Sequence, residues 1–526
     1  MKQLTKRILT GLMAVILLLA SGCGLSGVPD SSASATVAAS AEAAGSTPSQ
    51  AETTENPALP DYELTYYFLA NTISPDRDRI VEQLNTLTQS RINATVNLVM
   101  LDWATWTDKF NTAINSGEKI DIAFTADWYG YVDQVANGYF LPLNDPADNL
   151  LERYAADTVA ALGKGFMEGS RIGGVNYAVP TDKEFAVNAG IVWNKALADK
   201  YGLDMTKPKK IADLEPMLKV IHDNEPDIIP YLGGNECVPF VDLSGGAAIG
   251  VDYSDLGDRT MKHIWEMPLQ IENAKARKRF MDLGYIPKEA ATDNLRASDH
   301  VLLGDFFVIE MATKPEKGKS TELSAATGNK VIFDEAEWTP YTAVSLHAGG
   351  SMLAIPTTSG DPARAMMFIN LLHTDPDIAN LLVWGVEGVH HKAVGETANG
   401  VKVVEALPDN AWTSASLPWT LGSVFIHWLG SNESPKKHDM FQLTKTQSAP
   451  HVTLGYRFSK KADYQAQYGV LSNVMVQYDK MLQVGAVEDF DATYREFMDK
   501  LKAAGLDEVK VALQADLDKF LTDSGK

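Results

Sequence analysis

The chain has 526 residues and a formal net charge of −22, with 68 acidic side chains against 46 lysines and arginines. This length allows about two to four domains of ordinary size and ample burial of apolar surface. The excess of negative charge excludes a surface built for nucleic-acid phosphates, and it disfavours a face lying flat on anionic lipid. The charge balance therefore favours a soluble protein and disfavours anionic ligands, although a local basic pocket could override this preference.

The N-terminus has the pattern of a secretory signal. Lys2, Lys6 and Arg7 precede an apolar stretch at residues 8–20 that is too short to span a bilayer comfortably. Cys23 follows directly after Ala-Ser-Gly, which resembles a bacterial lipoprotein signal, although Ala20 stands where Leu, Val or Ile is commoner. The resemblance implies removal of residues 1–22, a lipid on Cys23 and a place on the outer face of the cell membrane. The alternative is a plain signal peptide in which Cys23 is incidental.

Residues 24–60 contain no aromatic residue, lysine or arginine and are dominated by Ala, Ser, Thr, Gly and Pro. Such a segment cannot bury enough apolar surface to fold. We therefore predict a disordered tether over residues 23–60, with a reach of about 30–35 Å as a flexible coil. If Cys23 carries lipid, Cys237 has no disulfide partner, because the chain has only these two cysteines.

Strand-like and helix-like segments alternate from residue 61 onward. The predicted strands are Tyr62–Ala70, Ala94–Met100 and Ile120–Phe124, and the predicted helices between them carry Ile80, Leu84, Leu87 and Ile92, then Trp106, Phe110 and Ile114. This alternation predicts an α/β lobe with a mainly parallel sheet.

The ends of these strands carry the first candidate ligand residues. In open α/β sheets, ligands bind beyond the carboxyl ends of the strands. Trp103 follows the second strand, and Asp127, Trp128 and Tyr129 follow the third. An aromatic ring beside a carboxylate suits a sugar, because the ring covers the C–H face while the carboxylate accepts hydroxyl hydrogen bonds. The alternative for Trp103 is simple packing in the core.

A crossing between two lobes is predicted at residues 173–197. Apolar runs at 175–180 and 188–193 flank a charged stretch that contains Lys183 and Glu184. Two rigid lobes could rotate about such strands and close on a ligand. The alternative is an ordinary strand-turn-strand within one domain.

Four sequence runs in register make the interpretation specific. They are NSGEKIDIAFTADW (115–128), ANGYFLPLND (136–145), YAVP (177–180) and VWNKALADKYGLD (192–204). Together they resemble the extracellular solute-binding proteins of ABC transporters, the maltose-binding-like family. The resemblance implies a type II periplasmic-binding-protein-like fold, with two α/β lobes joined by a hinge and the ligand in the cleft. It gives a first lobe of 61–188 and 346–395 and a second of 189–345 and 396–450.

Further candidates lie in these later segments. Asn235 and Glu236 follow a glycine pair at a strand end, where backbone can approach a ligand, although an ordinary turn is an equal alternative. Glu387 is flanked by Gly385 and Gly388 and lies in a short sequence pattern that recurs in the family that this chain resembles. Trp412, Trp419 and Trp428 form either a stacking wall or a packing plug, and the sequence leaves both open.

Residues 451–526 read as a helical extension. Apolar spacing predicts helices around Tyr468–Leu482, Tyr494–Ala504 and Val509–Leu521. The tail resembles a C-terminal domain of unknown function found in Gram-positive oligosaccharide-binding lipoproteins. Its GYRFS run stands where relatives carry a GFxFD-like word, which puts a role for that final acid in doubt.

The sequence contains no recognisable nucleophile, zinc, phosphate-loop or calcium-loop motif. We therefore predict a monomeric binding protein without catalytic residues, cofactor or metal, which delivers an oligosaccharide to the transmembrane subunits of an ABC permease. The alternatives are a peptide-binding or sensory protein of the same fold, or a secreted carbohydrate-active enzyme.

Overall fold

The computed structural model describes residues 59–186, 188–234, 236–292, 297–327, 329–408, 410–458 and 460–526. The predicted signal, Cys23 and nearly all of the predicted tether lie outside these ranges. Within them, no helix combines the length and the apolar character that a membrane span requires.

Strands and helices alternate through most of the described chain. In chain order the strands are β1 (Tyr62–Ala70), β2 (Ala94–Asp102), β3 (Ile122–Thr125), β4 (Ala178–Pro180), β5 (Asn188–Asn194), β6 (Ile229–Tyr231), β7 (Phe240–Asp242), β8 (Ile249–Asp252), β9 (Lys262–His263), β10 (Phe306–Thr313), β11 (Phe333–Glu337), β12 (Thr342–Ala343), β13 (Met352–Ala354), β14 (His391–Glu396), β15 (Lys402–Ala406), β16 (Leu429–Gly430) and β17 (Ala449–Pro450). The α-helices are α1 (Arg77–Ile92), α2 (Trp106–Ser116), α3 (Tyr131–Ala136), α4 (Leu150–Tyr154), α5 (Ala156–Gly169), α6 (Lys195–Tyr201), α7 (Glu215–Asn224), α8 (Pro268–Asp282), α9 (Ala297–Leu303), α10 (Gly318–Ala326), α11 (Ser345–Ala348), α12 (Pro362–Thr374), α13 (Pro376–Trp384), α14 (Trp412–Ala415), α15 (Lys437–Gln447), α16 (Gln465–Val484), α17 (Phe490–Ala503) and α18 (Leu506–Ser524).

The first lobe is built on a five-stranded sheet in the order β2-β1-β3-β13-β4. β1 pairs in parallel with β2 and β3, whereas β13 runs antiparallel to β3 and β4. Helices α1 and α2 cover β2, and their predicted apolar faces are buried. α2 ends at Gly117, whose left-handed backbone (φ 76°) closes the helix as predicted.

The second lobe is built on a sheet in the order β11-β5-β10-β6. β5 is buried along its whole length and runs antiparallel to β10 and β11. Its core includes Ile191, Trp193, Leu218 and Phe280 from the sheet and from helices α7 and α8. Two separate sheets, each with its own helices, give the two α/β lobes that the sequence predicts.

The chain passes between the lobes along neighbouring segments. The outward segment leaves β4 at Pro180 and enters β5 at Asn188, and the return runs from β12 to β13. Thr181 N–H donates to the carbonyl of Ser351 at 2.9 Å, so the two crossings lie side by side at the first lobe. Asp182 N–H donates to Gly422 O at 2.9 Å, which adds a third segment to this junction.

Segment 396–450, which the sequence assigns to the second lobe, is divided by the structure. Trp412, Leu417 and Leu421 lie in the core of the first lobe, because their large apolar side chains fill space beside α13. β14, β15 and β16 form a small sheet of their own, and β17 pairs with β12 next to the crossing. The boundary at residue 396 is therefore corrected for the part of this segment that contains Trp412.

Helices α16, α17 and α18 form the C-terminal extension that the sequence predicts. They share one apolar core with the β7-β8-β9 sheet, in which Val241 and Trp265 meet Leu471 and Leu513. Trp265 Nε1 donates to the Asp479 carboxylate at 2.7 Å. The extension is thus built onto the second lobe.

Candidate ligand-binding cleft

Three indoles and a phenol from separate segments meet at one edge of the first lobe. We call Trp103, Trp128, Tyr129 and Trp419 the aromatic platform. The ring centroids of Trp103 and Trp128 are 5.9 Å apart, and Trp419 stacks on Trp103 at 6.2 Å with an 11° interplanar angle. Trp128 is 51% exposed and Trp103 is 36% exposed, which is unusual for side chains that carry so much apolar surface.

The sheet explains why these residues meet. Trp103 follows the carboxyl end of β2, and residues 127–129 form a single turn directly after β3. Trp419 lies in another short turn, Pro418–Thr420, and its ring contacts Phe124 of β3 edge-to-face at 5.8 Å. The platform therefore lies at the sheet edge where α/β proteins bind ligands.

Hydrogen bonds fix the orientation of two platform rings. Trp128 Nε1 donates to the carbonyl of Gly350 at 2.7 Å, and Trp103 Nε1 donates to the Asn71 side chain at 3.2 Å. The polar edge of each indole is thus satisfied by protein, while part of its surface stays open to solvent. Such a surface is prepared to stack on the C–H face of a sugar.

The carboxylate of Asp127 is already engaged by another part of the protein. Arg457 from the C-terminal extension donates to both of its oxygens, each at 2.7 Å. The side chains of this pair are 14% and 5% exposed, so both charges are largely withdrawn from solvent. The role of Asp127 as a hydroxyl acceptor stays a prediction, and the structure adds that two of its acceptor sites already serve a bidentate ion pair.

A cavity of about 500 Å³ lies between the two lobes and the extension. It is lined by residues 127, 128, 130, 132 and 133 of the first lobe, 241–246 of the second, 345–346 of the crossing, and 456–458 and 461 of the extension. Its size lies within the usual range of about 300–1,000 Å³ for ligand pockets. Trp128 belongs to both the platform and the cavity, so the two form one cleft.

The sequence did not predict the residues of the second lobe that line this cavity. Asp242 and Ser244 line it, followed by Gly245 and Gly246 with left-handed φ values of 72° and 128°. A glycine pair at the end of a strand is the pattern that predicts site residues at 235 and 236, and the same pattern occurs at Gly245 and Gly246. Asp242 and Ser244 could have been predicted from this second glycine pair.

Lys183 and Glu184 lie in the crossing and pair with each other, Nζ to Oε1, at 3.3 Å. Burial acts to raise the pKa of Glu184, but the charges of Lys183 and Lys314 outweigh it and hold the pKa below its usual value. Both side chains are mostly buried. The pair is therefore a charged element of the crossing, as its predicted position implies, with its charges already compensated.

The loop after β6 contains the other second-lobe candidates. Asn235 lies outside the described residues. Glu236 is exposed as a whole residue, while surrounding protein partly desolvates its carboxyl and, together with the nearby charge of Glu310, raises its pKa. Behind the loop, Arg277 and Glu310 form a fully buried ion pair at 2.6 Å, and Gly234 approaches so closely that a Cβ would lie 2.4 Å from Glu310 Cβ.

Two predicted site residues serve other purposes. Trp412 is fully buried, stacks on Phe68 and donates from Nε1 to Leu382 O at 3.0 Å, so it packs the first lobe and does not line the cleft. Glu387 binds Lys402 at 2.9 Å beside the β14–β15 hairpin. The ammonium of Lys402 also lies 4.0 Å from the ring centroid of Trp428. Trp428, the third tryptophan of that region, therefore makes a cation–π contact beside this hairpin.

In the part of the chain that the structure describes, no group of three or more His, Cys, Asp or Glu side chains has the arrangement of a metal site. Cys237 is buried as a free thiol and donates to Gly190 O at 3.2 Å. The cleft therefore offers aromatic surface, hydroxyl and amide groups and paired charges.

Comparisons with known proteins agree with this geometry. Residues 85–269 match the family of bacterial extracellular solute-binding proteins, and residues 452–522 match a domain of unknown function, DUF3502. A carbohydrate ABC transporter substrate-binding protein of Streptococcus pneumoniae serotype 4 is 26% identical over 452 residues, covering 85% of this chain and 89% of that protein.

Solved structures show the same fold. The N-glycan transport solute-binding protein NgtS of Streptococcus pneumoniae superposes with a TM-score of 0.75 at 23% identity, covering 88% of this chain and all of that one. An extracellular solute-binding protein of Bifidobacterium longum subsp. infantis gives a TM-score of 0.58 at 15% identity, over 87% and 98% of the two chains. The chain therefore has the type II fold of two α/β lobes, is similar to the bacterial extracellular solute-binding proteins over residues 85–269, and carries a DUF3502 match at its C-terminal end.

Proposed function

We propose that this protein is a lipid-anchored extracellular receptor that captures an oligosaccharide by hinge closure and delivers it to an ABC importer. The observation that carries the proposal is the aromatic platform, which shares Trp128 with an interlobe cavity. The carbohydrate-binding relative supports the same ligand class. The anchor on Cys23 and the importer are proposed from the signal pattern and from the family.

The chemistry of the cleft favours a neutral guest rich in hydroxyl groups. Exposed indole surface at Trp103 and Trp128 would stack on sugar C–H faces. Across the cavity, the Asp242 carboxylate accepts from Ser244 and Gly246 within its own loop, and its remaining acceptor sites would bond hydroxyls. The nearby cations Arg457 and Lys461 are engaged by Asp127 and Asp133. An acidic ligand would have to displace these pairs, whereas a neutral sugar would not.

A ligand that touches both lobes shifts the protein toward its closed form, because only that form provides all the contacts. The crossing beside Thr181 and Ser351 gives the axis, and the 500 Å³ cavity gives the space that closure would reduce. No bond of the ligand is made or broken in this proposal.

The relatives suggest which sugars to test first. NgtS structures are described in complex with Man1GlcNAc and Man5GlcNAc, and the pneumococcal protein FusA, which aligns with a TM-score of 0.55, is described with kestose. We propose that an N-glycan fragment of the mannose–GlcNAc type binds this protein more tightly than a fructan does.

Calorimetric titration of the mature protein with Man5GlcNAc, Man1GlcNAc and kestose tests this proposal, with peptide mixtures as a separate arm. We expect binding of a mannose–GlcNAc sugar and a smaller radius of gyration by X-ray scattering in its presence. Binding of peptides alone would contradict the sugar proposal, and new reducing ends after incubation would contradict the binding-only role.

Variants of the platform sharpen the test. We expect Trp128→Ala to weaken sugar binding by about 1–3 kcal/mol, because a large aromatic contact is lost. Tyr154→Ala is the matched control, since this half-buried aromatic of α4 lies outside the platform and the cavity. Equal loss in both variants would show that the effect is not specific to the platform.

A further inference from the structure

One arginine of the C-terminal extension contacts the turn that carries Trp128 and two further segments of the protein. Arg457 lies between Tyr456 and Phe458, whose side chains are buried in the core of the extension. In an extended stretch, alternate side chains point to opposite sides. Arg457 therefore points away from that core and into the first lobe.

The guanidinium of Arg457 uses its donors on three different segments. It binds both oxygens of Asp127, and its Nη1 donates to the carbonyls of Gly169 and Arg171 at 2.5 and 2.8 Å. A longer contact of 3.4 Å reaches the carbonyl of Ser345 in the crossing. The planar fork of arginine is suited to such simultaneous contacts.

Two glycines complete the arrangement around this ion pair. Asp127 N–H donates to Gly349 O at 2.8 Å, and Trp128 Nε1 donates to Gly350 O at 2.7 Å. A Cβ on Gly349 would lie 2.0 Å from Asp127 Oδ2 and 2.5 Å from Arg457 Nη2. The Trp128 turn, the returning crossing and the extension thus form one tightly packed unit.

We propose that Arg457 is a positioning residue for ligand binding: through Asp127 it fixes the Trp128 turn against the crossing, so the C-terminal extension sets the geometry of the sugar platform. This inference rests on the proposed function and assigns a task to the extension within it.

A matched pair of conservative variants separates positioning from charge. Arg457→Lys keeps a positive charge beside Asp127, but an ammonium cannot make the bidentate and carbonyl contacts together. The control is Arg279→Lys, which alters a second bidentate pair, with Glu215, on the exposed surface of the second lobe. Both variants are expected to fold, because charge compensation is kept at each position.

Two readouts are measured on the mature protein labelled with 5-fluorotryptophan, with Trp128→Phe used to assign the Trp128 signal in the ¹⁹F spectrum. In the absence of sugar, we expect Arg457→Lys to shift or broaden the Trp128 signal, whereas Arg279→Lys leaves it unchanged. With Man5GlcNAc as the probe, we expect Arg457→Lys to weaken binding about tenfold, as supporting contacts of a site do when they loosen. Arg279→Lys should bind as the parent does.

The outcomes distinguish the two proposals. If the parent protein does not bind Man5GlcNAc, the sugar proposal loses its support, while the ¹⁹F comparison still decides whether Arg457 positions Trp128. An unchanged Trp128 signal in Arg457→Lys would overturn the inference. So would a shifted signal combined with parent-like binding by a protein that binds the sugar.

Discussion

Gly349 shows how closely one residue can constrain the cleft. Its missing side chain lets the returning crossing approach the Asp127–Arg457 pair, and a Cβ there would overlap both partners. Because the pair is almost entirely buried, neither side chain can move aside without losing hydrogen bonds. We expect Gly349→Ala to lower the free energy of unfolding by about 1–3 kcal/mol, the usual effect of overpacking, as measured by urea denaturation.

Gly469 provides the opposite expectation at a second glycine. It lies on the exposed face of α16, where no atom stands within 4 Å of an added Cβ. Gly469→Ala should therefore raise the unfolding free energy by about 0.5–1 kcal/mol through helix propensity. If both alanine variants lost stability equally, steric crowding at Gly349 would not be the cause.

At the scale of single elements, α12 carries a start signal that the sequence predicts correctly. Asp361 accepts from Arg364 N–H at 2.9 Å, and Pro362 occupies the first helical position. We expect Asp361→Ala to lower the unfolding free energy by about 1 kcal/mol, measured by urea denaturation. Asp361→Asn should stay close to the parent, because asparagine caps equally well, and equal loss in both would point to charge and not to capping.

Most of the correct predictions about the fold come from local sequence signals of this kind. Helical spacing identified α1 and α2, Gly117 marked a helix end, and the strand-end rule brought Trp103 and Trp128 to one edge. Each of these features depends on neighbours in sequence or on a general property of parallel sheets. That is why they could be derived from one chain alone.

The parts that could not be predicted depend on contacts between distant residues. The Asp127–Arg457 pair joins positions 330 residues apart, and nothing near Asp127 in sequence indicates that its carboxylate is already occupied. Trp412 and Trp419 lie close together in the chain, yet one is core and the other part of the platform. The sequence left both roles open for each tryptophan, because spacing along the chain does not determine which indole packs in the core.

At the scale of the whole molecule, buried histidines distributed over several parts of the fold make stability depend on pH. Burial lowers the pKa of His263 and His347 to about 4, and that of His373 and His427 to about 3. A histidine in the unfolded chain has a pKa near 6.5. Between that pH and the lower pKa of the folded state, the unfolded chain therefore binds more protons at these histidines than the folded protein does. Stability must then rise with pH between the folded and unfolded values and fall on acidification.

Burial also raises the pKa of Asp182 and Glu335, which opposes this trend in the same acidic range, so the contribution of one histidine is measured by changing that residue alone. We expect His373→Gln to reduce the slope of unfolding free energy against pH by up to about 1.4 kcal/mol per pH unit between about pH 6 and 4.5. Urea denaturation across that range measures it. A slope for His373→Gln equal to that of the parent protein would contradict the assignment.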